Sequence, residues 1–213
     1  MKTDDLIAML STNVEAVDHR QTMRTIGTAV AASAAVVVIA VIFALGLRAD
    51  LTNANAYISL LLKVAFTVAI LVPASIYLIR LARPGGERRT PVALVALPFI
   101  AVMLLAALSL TLAPRSHWQR TMMGDQWLEC LVSIPLIAIV PFAMIVWAVR
   151  RAAPTDLARA GALAGLVAGC LSAAGYALHC VDDSVPFVAL WFGGTIALCT
   201  VAGWKLGPRL LRW

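Results

Sequence analysis

Ala177-Leu178-His179-Cys180-Val181-Asp182-Asp183-Ser184-Val185-Pro186-Phe187-Val188-Ala189-Leu190-Trp191 sets a thiol, an imidazole and two carboxylates in one short turn. Apolar runs flank the turn, Ala158–Leu178 before it and Val185–Trp204 through and after it. Each run reaches the roughly 20 residues that cross about 30 Å of hydrocarbon as a helix. The stretch therefore reads as a loop between two transmembrane helices. Four further apolar runs lie upstream, at Ile26–Leu47, Tyr57–Ile79, Pro91–Leu112 and Gln126–Ala148. Lipid offers the backbone no hydrogen-bond partner, so runs of this length are helices. The predicted fold is all-α, a polytopic membrane protein with a bundle of six transmembrane helices over 26–204. A polar segment, 1–25, precedes it and a short tail, 205–213, follows it.

Composition agrees with this reading. The 213 residues are 62% hydrophobic and 13% charged, whereas a soluble domain is about half apolar and about a quarter charged. The net charge of +6 does not point to nucleic acid, because the cations cluster at the ends of apolar runs. The opening residues are polar and carry acids, so no cleavable signal peptide is expected.

The loops set the expected orientation. Lys2, Arg20 and Arg24 precede span one. Arg80, Arg83, Arg88 and Arg89 follow span two. Arg150, Arg151 and Arg159 follow span four, and Lys205, Arg209 and Arg212 follow span six. The opposite face holds only Arg48, Arg115 and Arg120. The positive-inside rule puts both termini in the cytoplasm and turns the His179–Asp183 loop outward, toward the periplasm if the membrane is a bacterial inner membrane.

In the lead, Leu6, Ile7, Leu10, Val14 and Val17 recur at spacings of three and four and form one apolar stripe, with Thr3, Asp4 or Asp5 available as a cap. Two readings fit: a helix lying on the bilayer, or a docking helix for a soluble partner. Within the spans, Gly161, Gly165 and Gly169 make a smooth face for close helix packing, inside one bundle or across a homodimer. Lys63, about two turns inside span two, can snorkel outward. Nothing charged lies near a span midplane, and no internal repeat is visible, so ion-coupled transport gains no support. Trp191 and Tyr176 suit an aromatic belt at the outer interface.

Depth separates the four cysteines. Cys170 and Cys199 lie within spans five and six and read as small packing residues. Cys180 lies in the outer turn, and Cys130 lies about one helical turn below the outer end of span four. These two are a candidate pair with three open readings: a static disulfide, a reversible thiol switch, or a soft-metal site. The metal reading would add His179, Glu129, Asp182 or Asp183 as ligands. No CxxC and no compact Cys/His spacing supports it.

Several short motifs resemble the NrsF-like membrane anti-sigma factors. They are Met1-Lys2-Thr3-Asp4-Asp5-Leu6-Ile7, Trp127-Leu128-Glu129-Cys130 with Ser133-Ile134-Pro135, Ala177-Leu178-His179-Cys180 with Asp183-Ser184, Phe187-Val188-Ala189-Leu190-Trp191, and Leu206-Gly207-Pro208-Arg209-Leu210-Leu211-Arg212-Trp213. The resemblance covers the whole chain. It implies six inner-membrane helices and a cytoplasmic N-terminal segment that holds an extracytoplasmic-function sigma factor inactive. It also implies release under metal or oxidative stress through a cysteine pair, which maps onto Cys130 and Cys180. Cys170 and Cys199 are extra to that pair. The expectation is a regulator with no catalytic activity, no cofactor and no direct contact with nucleic acid. The rivals are a membrane thiol oxidoreductase using the same cysteines and a small-molecule or metal transporter.

Overall fold

A computed structural model describes residues 3, 19–50, 53–82 and 93–212. The lead residues Leu6, Ile7, Leu10, Val14 and Val17 lie outside the described residues. All regular structure among the described residues is helical. Six helices are long and apolar enough to cross a membrane. They are span one (His19–Ala44), span two (Ala54–Leu81), span three (Ala93–Leu112), span four (Trp127–Arg150), span five (Leu157–Tyr176) and span six (Val185–Leu210). Each bound falls within a few residues of the apolar run that announced it, except at the polar start of span one and the polar end of span six. There the helix runs on past the hydrocarbon length.

Local chemistry ends the helices. Span one stops at Gly46, whose positive φ of 80° lets its N–H and that of Leu45 both donate to the Val41 carbonyl, each at 3.0 Å. Span five is capped by the Asp156 carboxylate, which accepts from the Arg159 N–H at 2.9 Å. Span six is capped by Ser184, whose hydroxyl accepts from the Phe187 N–H at 3.3 Å. The loop between spans three and four also folds, into a 3-10 turn (Arg115–His117) and a short helix (Trp118–Met123). Pro73, Pro98, Pro135, Pro141 and Pro208 lie inside spans without breaking them, as membrane helices tolerate.

Span five is the axle of the bundle. Every residue from Ala164 to Ala173 is buried, and spans one, two, four and six all pack on it. A helix buried on all sides sits at the centre. Its contact with span six is the most extensive. There Gly161 and Gly165 meet Gly203, Gly207 and the Cys199 backbone so closely that a Cβ would overlap the opposing chain. Gly169 would place its Cβ 3.0 Å from that of Cys199. The glycine face is thus filled by a helix of the same chain, which leaves it no room for a second copy. Span three is peripheral and turns Leu97, Ile100, Leu104 and Leu108 outward, as a lipid-facing helix does.

Candidate functional site

The His179–Asp183 turn is tied down from three directions. Span five unwinds tightly at its end: the His179 and Cys180 N–H groups both donate to the Tyr176 carbonyl at 3.0 Å. The turn then meets the loop after span one. The Arg48 N–H donates to the Leu178 carbonyl at 3.1 Å. His179 Nδ1 lies 3.1 Å from the Gly46 carbonyl, a contact that needs the proton on Nδ1.

A buried charge cluster forms the second tie. Arg48 Nη1 and Nη2 donate to Asp183 Oδ1 and Oδ2 at 3.0 and 2.9 Å, a bidentate pair. Lys63 Nζ donates to Asp183 Oδ1 at 2.9 Å. The same two cations also grip the Cys180 carbonyl, Arg48 Nη1 at 3.2 Å and Lys63 Nζ at 3.0 Å. Asp50 holds the other edge of Arg48 at 2.6 and 2.8 Å. The Arg48 and Lys63 side chains are fully buried. Lys63 therefore does not snorkel to water. It turns into the bundle, 5.9 Å from the centre of the Phe192 ring, and anchors the loop above it.

The third tie reaches span four. The Asp182 carboxylate accepts from the backbone N–H of Gln126 at 2.8 Å and of Asp125 at 3.1 Å. Gly124 makes room for it: its φ is 57°, and a Cβ there would sit 2.7 Å from Asp182 Oδ2. Gln126 Oε1 accepts from the Val181 N–H at 3.3 Å. Ser184 donates to the Thr121 carbonyl at 2.7 Å, and Trp191 Nε1 to the Met122 carbonyl at 2.9 Å. Trp191 lies in a π-helical stretch, Val188–Phe192, that follows the first turn of span six. The extra residue per turn sets Trp191 against Trp127, ring centres 5.2 Å apart, while Phe192 stays in the core.

These ties bring the first turn of span four against the Cys180 turn. Cys130 and Cys180 are both free thiols, and both are fully buried. Cys180 Sγ points at the Asp182 carbonyl, 3.9 Å away. Burial pushes the Cys180 thiol above its ordinary range; the nearby Lys63 charge pulls it back only in part. Burial would also raise the Asp183 carboxyl, but the hydrogen bonds from Arg48 and Lys63 outweigh it and hold the group below the usual carboxylate range. Arg48 does the same for Asp50.

The remaining candidates fall into place around this core. Tyr176 is not a belt residue. It is completely buried between His179 and Phe192, and its hydroxyl has no hydrogen-bond partner among the described residues. Glu129 is exposed. Among the described residues, no group of three or more His, Cys, Asp and Glu side chains is placed to hold a metal ion. Asp183 and Asp182 are already engaged, by cations and by backbone N–H groups. Cys170 and Cys199 are also free and buried, and Cys199 packs against Gly165 and Gly169 of span five. In the sequence Arg48 counts only as a topology marker and Lys63 only as a snorkelling residue, and neither reading contains their role in this cluster. The available signal was that a lysine inside a span needs a partner, and Asp183 is an acid at a loop of matching depth.

Residues 10–213 match the NrsF family, described as negative regulator of sigma F. The chain belongs to the NrsF family. It is similar to the probable anti-sigma-F factor NrsF of Azospira oryzae, at 30% identity over the full length of both chains. It is 29% identical to the anti-sigma-F factor NrsF of Caulobacter vibrioides, again over the full length of both. No solved structure matches the chain. The resemblance of the short NrsF-like motifs thus extends to nearly the whole sequence. Gln126, just before the Trp127–Cys130 motif, bonds to Val181 and Asp182, which lie between the Ala177–Cys180 and Asp183–Ser184 parts of another.

Proposed function

We propose that this chain is an anti-sigma factor of the bacterial inner membrane, with both termini cytoplasmic. It keeps a sigma factor of the extracytoplasmic-function class at the membrane and has no catalytic activity of its own. The observation that carries this reading is the full-length similarity to two proteins named anti-sigma-F factors. The clustering of cations at the ends of the spans supports the orientation. Residues 1–25 bind the partner through Leu6, Ile7, Leu10, Val14 and Val17, an apolar stripe of the kind that a groove accepts.

The sensor in this proposal is the thiol pair Cys130 and Cys180. Both thiols are reduced at rest and buried, so any oxidant or thiol-seeking metal reacts with the minor state in which the turn has opened. Once modified, the thiols no longer fit their closed sites, and the open state is retained. Opening breaks the ties to Gly46 and Arg48, at the end of span one. That helix is 26 residues long, so it carries the change about 39 Å to the lead at its other end. A shift from mostly held to mostly released needs a preference of roughly 5.5 kcal/mol between the two states. The test is a paired one. Cys130→Ser/Cys180→Ser should retain the sigma factor under cadmium or peroxide challenge. Leu10→Glu/Val14→Glu should fail to retain it even at rest, with both variants present in the membrane at wild-type level. Normal release from the cysteine double variant would remove the sensor from the account.

A further inference from the structure

A second built feature lies at the opposite end of the bundle from the thiol turn, and nothing in the sensor uses it. Spans one and four leave between them a groove of about 770 Å³, within the range of small-ligand sites. Its rim carries two guanidinium groups, Arg24 from span one and Arg151 from the end of span four. Among the described residues, no acidic side chain lines the groove. Arg151 is set in place, its guanidinium 3.7 Å from the centre of the Trp147 ring. Below the rim the lining changes to Ala29, Ala32 and Met144. The residues thus follow a vertical order: two positive charges, one of them stacked on an indole, then an apolar trough between two membrane helices.

That order matches one class of molecule. We infer that the Arg24–Arg151 groove binds an anionic membrane phospholipid, with its phosphodiester between the two arginines and an acyl chain along Ala29, Ala32 and Met144. Arginine suits the headgroup because its planar fork donates two parallel hydrogen bonds to phosphate oxygens. Tryptophan sits at the headgroup level of bilayers, which fixes the depth at which the guanidiniums meet the phosphate. Basic pockets between membrane helices are a recurrent headgroup site. A soluble acidic ligand would leave the apolar trough uncovered. A zwitterionic lipid would fill the trough but oppose the arginines with its own cation.

The full-length chain in detergent, titrated with phosphatidylglycerol or phosphatidylcholine and read by native mass spectrometry, tests this. The wild type should retain phosphatidylglycerol in preference to phosphatidylcholine. Arg24→Gln/Arg151→Gln should weaken phosphatidylglycerol retention roughly tenfold or more, from the loss of two interfacial arginines. Arg80→Gln/Arg209→Gln removes the same charge elsewhere on the chain and should leave retention unchanged. Ala32→Phe should lower retention of both lipids by blocking the trough. Equal loss in the two charge variants would mean general surface attraction and would overturn the site. A photo-crosslinking amino acid in place of Met144 separates the remaining occupants. A lipid adduct supports the site. A crosslink to residues 1–18 of the same chain, or to a protein partner, overturns it.

Discussion

Asp183→Asn should unlock the thiol turn. Asp183 is the one carboxylate within ion-pair distance of Lys63 among the described residues. Its replacement by an amide leaves a fully buried ammonium that has acceptors but no counter-charge. Removing one member of a buried pair costs roughly 3–5 kcal/mol. The Asp183 side chain is 29% exposed, so the lower end, about 3 kcal/mol, is appropriate. Opening of the turn then becomes easier by roughly two orders of magnitude. A buried thiol is alkylated only through such opening. The assay is maleimide labelling in membrane vesicles, with the Cys180 peptide quantified by mass spectrometry. Asp183→Asn should label roughly a hundredfold faster than wild type. Lys63→Met/Asp183→Asn removes the orphaned charge as well, so it should label more slowly than Asp183→Asn alone. A single variant within threefold of wild type, or a double variant faster than the single, would refute the reasoning.

Three further outcomes follow from the geometry. The depressed Asp183 and Asp50 carboxyls contribute stability in full above the ordinary carboxylate range, near pH 4, and lose it as pH falls through their lower folded values. The thermal midpoint in detergent should therefore drop below about pH 4, and less steeply in Asp183→Asn. Gly203→Ala would press its Cβ onto the Gly161 carbonyl and should lower the thermal midpoint by an overpacking cost of roughly 1–3 kcal/mol, whereas Gly194→Ala meets nothing within 4 Å and should be silent. At neutral pH Cys180 should label far more slowly than a cysteine at exposed position 116 (Ser116→Cys), because burial both shields the thiol and disfavours the thiolate. Equal rates would contradict the closed turn.

The spans were legible because lipid imposes a length and a composition on any helix that crosses it. Span four is an example: its apolar run begins at Gln126 and the helix at Trp127. The depth argument put Cys130 and Cys180 at one level; the structure buries both, and Gln126, just before span four, bonds to Val181 and Asp182 beside Cys180. Pairing across helices was not legible, because sequence holds no register between non-adjacent segments. Lys63 looked like a snorkelling residue, since only the fold shows that Asp183 lies above it rather than lipid headgroups. Asp182 and Asp183 looked alike in sequence, yet one accepts from backbone N–H groups just before span four and the other from two cations, Arg48 after span one and Lys63 in span two. Tyr176 carried the composition of a belt residue. The close glycine contact between spans five and six and the π-helical stretch after the first turn of span six turned its surroundings into core.

The most direct test of the anti-sigma account is the partition of the sigma factor between membrane and cytosol in cells carrying the tagged full-length protein. Affinity capture from solubilised membranes should recover a sigma factor before stress. After brief exposure to cadmium or peroxide that sigma factor should be lost from the wild type and kept by Cys130→Ser/Cys180→Ser. Membranes that yield no sigma factor under resting conditions would contradict the account, whatever the behaviour of the thiols.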